Sequence, residues 1–151
     1  MTRARMLVAV PALAVVALGL TACDKPTPGA SVFSGTSSVY RQAACWAPEG
    51  TTLTADSCSA DLVAPPDSAT ISTVPGQTIG ISVDPKVAEI GWYPALVVSG
   101  QLTRLTEKPV TDTYFRFTPV AAQVGSPTTL AVIAGDSGER GIWTYNLVPA
   151  S

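Results

Sequence analysis

The chain has 151 residues, 11 acidic against 9 basic side chains, a net charge of −2 and no histidine. Its basic residues (Lys25, Arg41, Lys86, Arg104, Lys108, Arg116 and Arg140 after the N-terminal region) are scattered, so the patch that nucleic acid requires is missing and DNA and RNA are poor candidate partners. The missing histidine removes the usual general base, the triad base and the commonest metal ligand together.

Arg3 and Arg5 precede an apolar stretch from Met6 to Leu20, and small residues lead from there to Cys23. A positive start, an apolar run and small residues before a cut are the marks of a secretory signal, which is removed rather than kept as structure. The string Leu20-Thr21-Ala22-Cys23 resembles the lipobox of bacterial lipoproteins. That resemblance implies that residues 1–22 are a cleaved signal peptide and that Cys23 carries a thioether-linked diacylglycerol as the mature N-terminus. The alternatives are an ordinary signal peptide, or a single anchor helix, with an incidental cysteine. Each buried methylene contributes ~0.8 kcal/mol, and two or more acyl chains give stable attachment. Nothing later in the chain approaches the roughly 18 consecutive apolar residues of a spanning helix, so the remainder is expected to be water-soluble. Cleavage would take away Arg3 and Arg5 and leave all eleven acids, so the mature protein is more acidic than the precursor.

Asp24-Lys25-Pro26-Thr27-Pro28-Gly29 has two prolines and no apolar periodicity, which makes 23–30 a lipidated cysteine followed by a flexible tether. Residues 31–151 then form a single domain, long enough for one modest core.

Within that domain a period-two pattern dominates. Val39 to Trp46 reads as a strand, Pro48-Glu49-Gly50 as a hairpin connection, and Thr70 to Val74 as a further strand. Ile79, Ile81 and Val83 alternate with Thr78, Gly80 and Ser82 in the cleanest strand. The next segment, Asp84 to Glu89, has an N-cap acid and a proline at the first helical position, and predicts a single helical turn. Ala95 to Ser99, extending towards Thr106, is strand-like. Phe115 and Phe117 share one strand face, Tyr114 and Arg116 the other. Thr128 to Ala134 is followed by Gly135-Asp136-Ser137-Gly138, a second hairpin signal, and by a strand whose Trp143, Tyr145 and Leu147 line one face. These faces are expected to meet in a core. About seven short strands with turn signals between them predict an all-β protein, an immunoglobulin-like antiparallel β-sandwich, with a small open β-barrel as the alternative. The Cys…Trp…Cys spacing of antibody domains is absent, so the likeness is one of architecture.

Export would place Cys45 and Cys58 in an oxidising compartment. With Cys23 lipidated they are the remaining pair, and a disulfide between them is expected. A hairpin turning near Pro48-Glu49-Gly50 would set Cys45 opposite about Thr52, leaving Cys58 beyond the strand end. The alternative is two separate buried thiols. Two cysteines without histidine make a poor zinc site.

Gly135-Asp136-Ser137-Gly138 resembles the segment around the nucleophile of trypsin-like serine proteases. Glu139 replaces the further glycine, however, and no histidine exists to activate Ser137, so a turn is the expected role. Asp56 with Asp61, and Asp84 with Glu89, could in principle serve a glycosidase, but they show only the pattern of solvated loops and a helix cap. Asp136 and Glu139 lack the ligand density of a calcium loop. No catalytic residue, metal or cofactor is therefore expected.

Trp92 and Tyr93 are the candidates for ligand contact. Neighbours on a strand point to opposite faces, so one of them can enter the core while the other stays exposed to stack on a sugar or anchor a partner. The competing expectation is that Trp92 fills the core and Tyr93 covers an edge; Trp46 reads as packing near the disulfide.

The segment from Ile79 to Trp92, Ile-Gly-Ile-Ser-Val-Asp-Pro-Lys-Val-Ala-Glu-Ile-Gly-Trp, behind a cysteine pair and a lipobox, resembles uncharacterised actinobacterial lipoproteins that share a domain of unknown function. That resemblance brings no catalytic residue with it. The expected role is a non-enzymatic, extracytoplasmic binding or envelope-structural module, held on the cell membrane by lipid on Cys23. Its expected partner is an unknown envelope protein or glycan. The alternative is a shallow receptor for a small molecule or glycan built on Trp92 or Tyr93.

Overall fold

A computed structural model describes residues 25–54, 69–120, 128–135 and 139–150. Among them, β1 spans Gly29–Ser34, β2 Ser37–Gln42, β3 Cys45–Trp46, β4 Ala69–Thr73 and β5 Ile79–Val83, followed by the helix α1 at Pro85–Ile90. β6 covers Trp92–Val98, β7 Gln101–Arg104, β8 Tyr114–Phe117, β9 Thr128–Ala134 and β10 Gly141–Pro149.

Two sheets form, and neither closes into a barrel. The first runs β2-β1-β5-β8 and is antiparallel throughout. The second runs β3-β10-β9-β6-β7, with β4 also on β10. β9 occupies one edge of β10, while the other edge takes β3 antiparallel at Gly141 and Ile142 and β4 parallel from Tyr145 to Pro149. The protein is thus the expected all-β sandwich, and the barrel alternative is set aside.

The predicted core assembles from both sheets. Ile79, Ile81 and Val83 of β5 are buried with Trp143, Tyr145 and Leu147 of β10, and Phe115 and Phe117 of β8 pack against them. Each large apolar side chain taken out of water here contributes ~1.5–3 kcal/mol, which fixes the register because a one-residue slip would expose a whole face. β6, β9 and β10 are buried on both faces, and Ala95, Ala131 and Ile133 form a second cluster behind the main core.

The turns follow local chemistry. Ser99 (φ 51°) and Gly100 (φ 79°) make the two-residue turn between β6 and β7, in which both central residues need positive φ. The single helical turn forms as predicted. Asp84 occupies its N-cap position without capping it; the carboxylate turns away to β1 and accepts a hydrogen bond from the Gly29 N–H at 2.6 Å.

Three expectations are corrected. β1 was not predicted, and it opens at Gly29 inside the stretch read as tether. Val39 to Trp46 is not one strand, because the chain crosses at Ala43 and Ala44 from β2 in the first sheet to β3 in the second. Pro48-Glu49-Gly50 does make a tight turn, closed by Thr51 N–H to Pro48 O at 3.1 Å, but its two arms do not pair with each other. Ala47 donates to Arg140 O and Leu53 to Glu139 O, so both arms bond to the segment leading into β10, and Cys45 sits opposite Ile142 rather than near Thr52.

Candidate functional site

The root of the N-terminal segment is tied firmly into the domain. Pro28 O accepts the Ala43 N–H at 3.0 Å and the Trp143 indole N–H at 3.1 Å. One residue on, Gly29 and Asp84 exchange bonds in both directions, with Asp84 N–H donating to Gly29 O at 3.0 Å. The Tyr145 hydroxyl reaches from β10 across the core to donate to Ala30 O at 2.7 Å. Burial pushes the Tyr145 phenol well above its ordinary range, so it stays a neutral donor. Around this root Lys25, Pro26, Pro28, Trp46, Glu49 and Lys86 line a shallow depression. Trp46 is half-buried there, tilted at 59° to Trp143, with the Arg140 guanidinium 5.5 Å from its ring centroid.

Neither proposed ligand aromatic faces solvent. Trp92 is 0% exposed, donates its indole N–H to Asp112 O at 2.9 Å and meets Phe115 edge-on. Tyr93 does point to the opposite face, yet it is only 5% exposed, with the Arg104 guanidinium 4.1 Å from its ring centroid. Alternation leaves one residue wet only on a strand with one wet face, and β6 lies in the part of the sheet that is covered on both sides.

The accessible aromatics lie on the outer face of the first sheet. Tyr40 is 60% and Tyr114 47% exposed, and Phe33 stacks on Tyr114 with ring centroids 5.8 Å apart and planes within 8°. Glycines form the floor: a methyl at Gly29 would strike the Tyr40 ring, and one at Gly80 the Phe33 ring. Ser31, Ser38, Ser82 and Arg116 share this face by register, which mixes flat apolar surface with hydrogen-bonding groups. A sequence signal existed for Tyr114, which alternates with Phe115 and Phe117, but Tyr40 and Phe33 belong to strands misread or unread.

Cys45 is disulfide-bonded. Cys23 and Cys58, the other two cysteines of the chain, lie outside the described residues, as do Ser137, Asp136, Asp56 and Asp61. β9 and β10 pair antiparallel from Ala134 and Gly141. Asp84 and Glu89 sit at the two ends of the short helix, and Asp84 is committed to Gly29. Among the described residues no group of three or more potential metal ligands occurs, and no helix is long and apolar enough to cross a membrane. No known protein family, curated protein or solved structure matches the chain.

Proposed function

We propose that this is an extracytoplasmic lipoprotein, anchored to the cell membrane by lipid on Cys23, that acts without catalysis as a binding or structural module of the envelope. The observation that carries the reading is the lipobox-like string ending at Cys23 together with a rigid domain root that begins only five residues later, at Pro28. A chain anchored so close to its folded domain works at the membrane surface. The intact mass of the mature protein should equal residues 23–151 plus acyl groups, and Cys23→Ala should remove the protein from the membrane fraction or leave an unprocessed precursor. An unmodified mass starting at another residue would sink the proposal.

A glycan-binding reading is favoured by the exposed rings of Tyr40 and Tyr114, the latter stacked on the half-buried Phe33. Flat aromatic faces flanked by serine hydroxyls and Arg116 suit the apolar face and the hydroxyls of a pyranose. Co-sedimentation of the protein with insoluble cell-wall polysaccharide, weakened in Tyr114→Ala and Tyr40→Ala, is the expected result. Unchanged sedimentation of both variants would remove the aromatic face from the site.

A further inference from the structure

We infer that the root end of the sandwich is a membrane-docking surface, seated on anionic phospholipid headgroups through Lys25, Lys86 and Trp46. The inference rests on the lipid-anchor reading of Cys23 and adds a second, non-covalent contact to it.

Chain length supplies the first argument. Residues 24–28 separate Cys23 from β1. An extended chain covers at most ~3.3–3.6 Å per residue, so the domain root lies within roughly 20 Å of the lipidated sulfur. β10, with nine residues at about 3.3 Å each, is roughly 30 Å long. The far end of the sandwich, where Gly35 and Gly100 turn, therefore lies a strand length beyond the root. The root cannot act as a loose swivel either, because Pro28 and Gly29 are held by Ala43, Trp143 and Asp84 from three different elements of structure. A short tether and a fixed point of exit leave one end of the domain facing the bilayer.

The chemistry of that end is the second argument. Lys25 is exposed and Lys86 half-exposed, both on the depression at the root. Lys108, the third lysine of the chain, is exposed at the same end, next to Pro109, which packs on Gly91 just after α1. Ammonium groups on long stems reach phosphate while their methylenes stay on the protein surface. Trp46, half-buried between them, has the amphipathic ring that settles at headgroup depth. Glu49, on the exposed 48–51 turn, is the acid on this depression, and Glu89 on α1 and Glu107 beside Lys108 lie exposed at the same end, so the contact rests on the lysines that line the depression and not on a net positive end.

The test uses the full-length protein made in a bacterium, purified with its lipid and reconstituted in two kinds of vesicle. One is phosphatidylcholine alone and the other contains phosphatidylglycerol. A water-soluble amine-acetylating reagent is applied, with the detergent-solubilised protein as reference, and peptides are read by mass spectrometry. In the anionic vesicles Lys25 and Lys86 should be acetylated about fivefold more slowly than in detergent, the factor that corresponds to the ~1 kcal/mol a basic side chain gains near an anionic surface. In phosphatidylcholine alone the protection should shrink. Shallow brominated lipids should quench the tryptophan emission, and Trp46→Phe should abolish that quenching, since Trp92 and Trp143 are buried. Equal acetylation in vesicles and detergent, with diacylglycerol confirmed on Cys23 by mass, would overturn the docking surface and leave the anchor standing. A mass without lipid on Cys23 would overturn both.

Discussion

Tyr145 and Ala30 join the two sheets through one buried hydrogen bond, the phenol of β10 donating to the carbonyl oxygen of β1 at 2.7 Å. Burial raises the folded-state pKa of this phenol above its ordinary value of 10.0, whereas in the unfolded chain it titrates normally. Above pH ~10 the unfolded state releases a proton that the folded state retains. The stabilising contribution is therefore fully present below that pH and is lost as pH rises through and beyond it, by at most ~1.4 kcal/mol per pH unit. Tyr145→Phe should lower stability by roughly 1–2 kcal/mol at pH 8 through loss of the bond. It should also flatten the alkaline decline, read as urea midpoints between pH 8 and 11. A variant with an alkaline slope as steep as wild type would refute this assignment.

Asp84 serves β1 rather than its own helix. Asp84→Ala should cost roughly 1.5–3 kcal/mol, the range for a hydrogen bond to a charged group, and more than a simple cap loss. Hydrogen exchange at the Gly29 amide should accelerate together with amides of α1. If the helix amides alone respond, Asp84 is acting as a cap after all.

The disulfide at Cys45 is expected to link it to Cys58, because lipidation would occupy Cys23. Non-reducing peptide mapping should recover the 45–58 link. Reduction should destabilise the domain by about 3 kcal/mol, as expected for releasing a loop of that order. A mapped link from Cys45 to Cys23 would contradict both the pairing and the lipid anchor.

Buried and exposed aromatics should separate cleanly in mutagenesis. Trp92→Ala should cost roughly 3–5 kcal/mol, since it empties a fully enclosed site and orphans a bond to Asp112. Tyr114→Ala, on a half-exposed ring, should leave the urea midpoint close to wild type while weakening polysaccharide binding. Loss of binding in a folded Trp92→Phe protein, with Tyr114→Ala unaffected, would return the site to β6.

The strands with a clear inside and outside were legible from residue order. β5 and β8 alternate, the buried set of β10 recurs every second position, and Asp84-Pro85 announces the helix. β1 was illegible because Gly29-Ala30-Ser31 is small, has little intrinsic strand preference and follows two prolines; its extended form depends on partners at Arg41, Ser82 and Val83. Cys45 misled for a related reason. Its pairing with Ile142 joins distant parts of the chain, and a nearby turn signal suggested a local partner instead. Trp92 fills the core, as one of the two expectations had it, whereas Tyr93 is neither exposed nor at an edge, because alternation tells which way a side chain points, not whether a second layer waits there. Of the exposed aromatic face Tyr114 alone was legible from alternation; Tyr40 and Phe33 join it through pairing, which brings Tyr40 over Gly29 and Phe33 over Gly80.

The position of β10 in the second sheet bears on how the protein could be made. β3 and β4 depend on it for pairing, β9 has it along one edge and β6 along the other, and through Trp143 and Tyr145 it also holds the root of β1. Yet β10 follows the other nine described strands in the chain. A growing polypeptide that stops short of Gly141 has β3 and β4 without a partner, one edge of β9 unpaired and a core lacking Trp143 and Tyr145, two of its largest side chains. Completion of the fold therefore waits on β10, which comes after every other described strand.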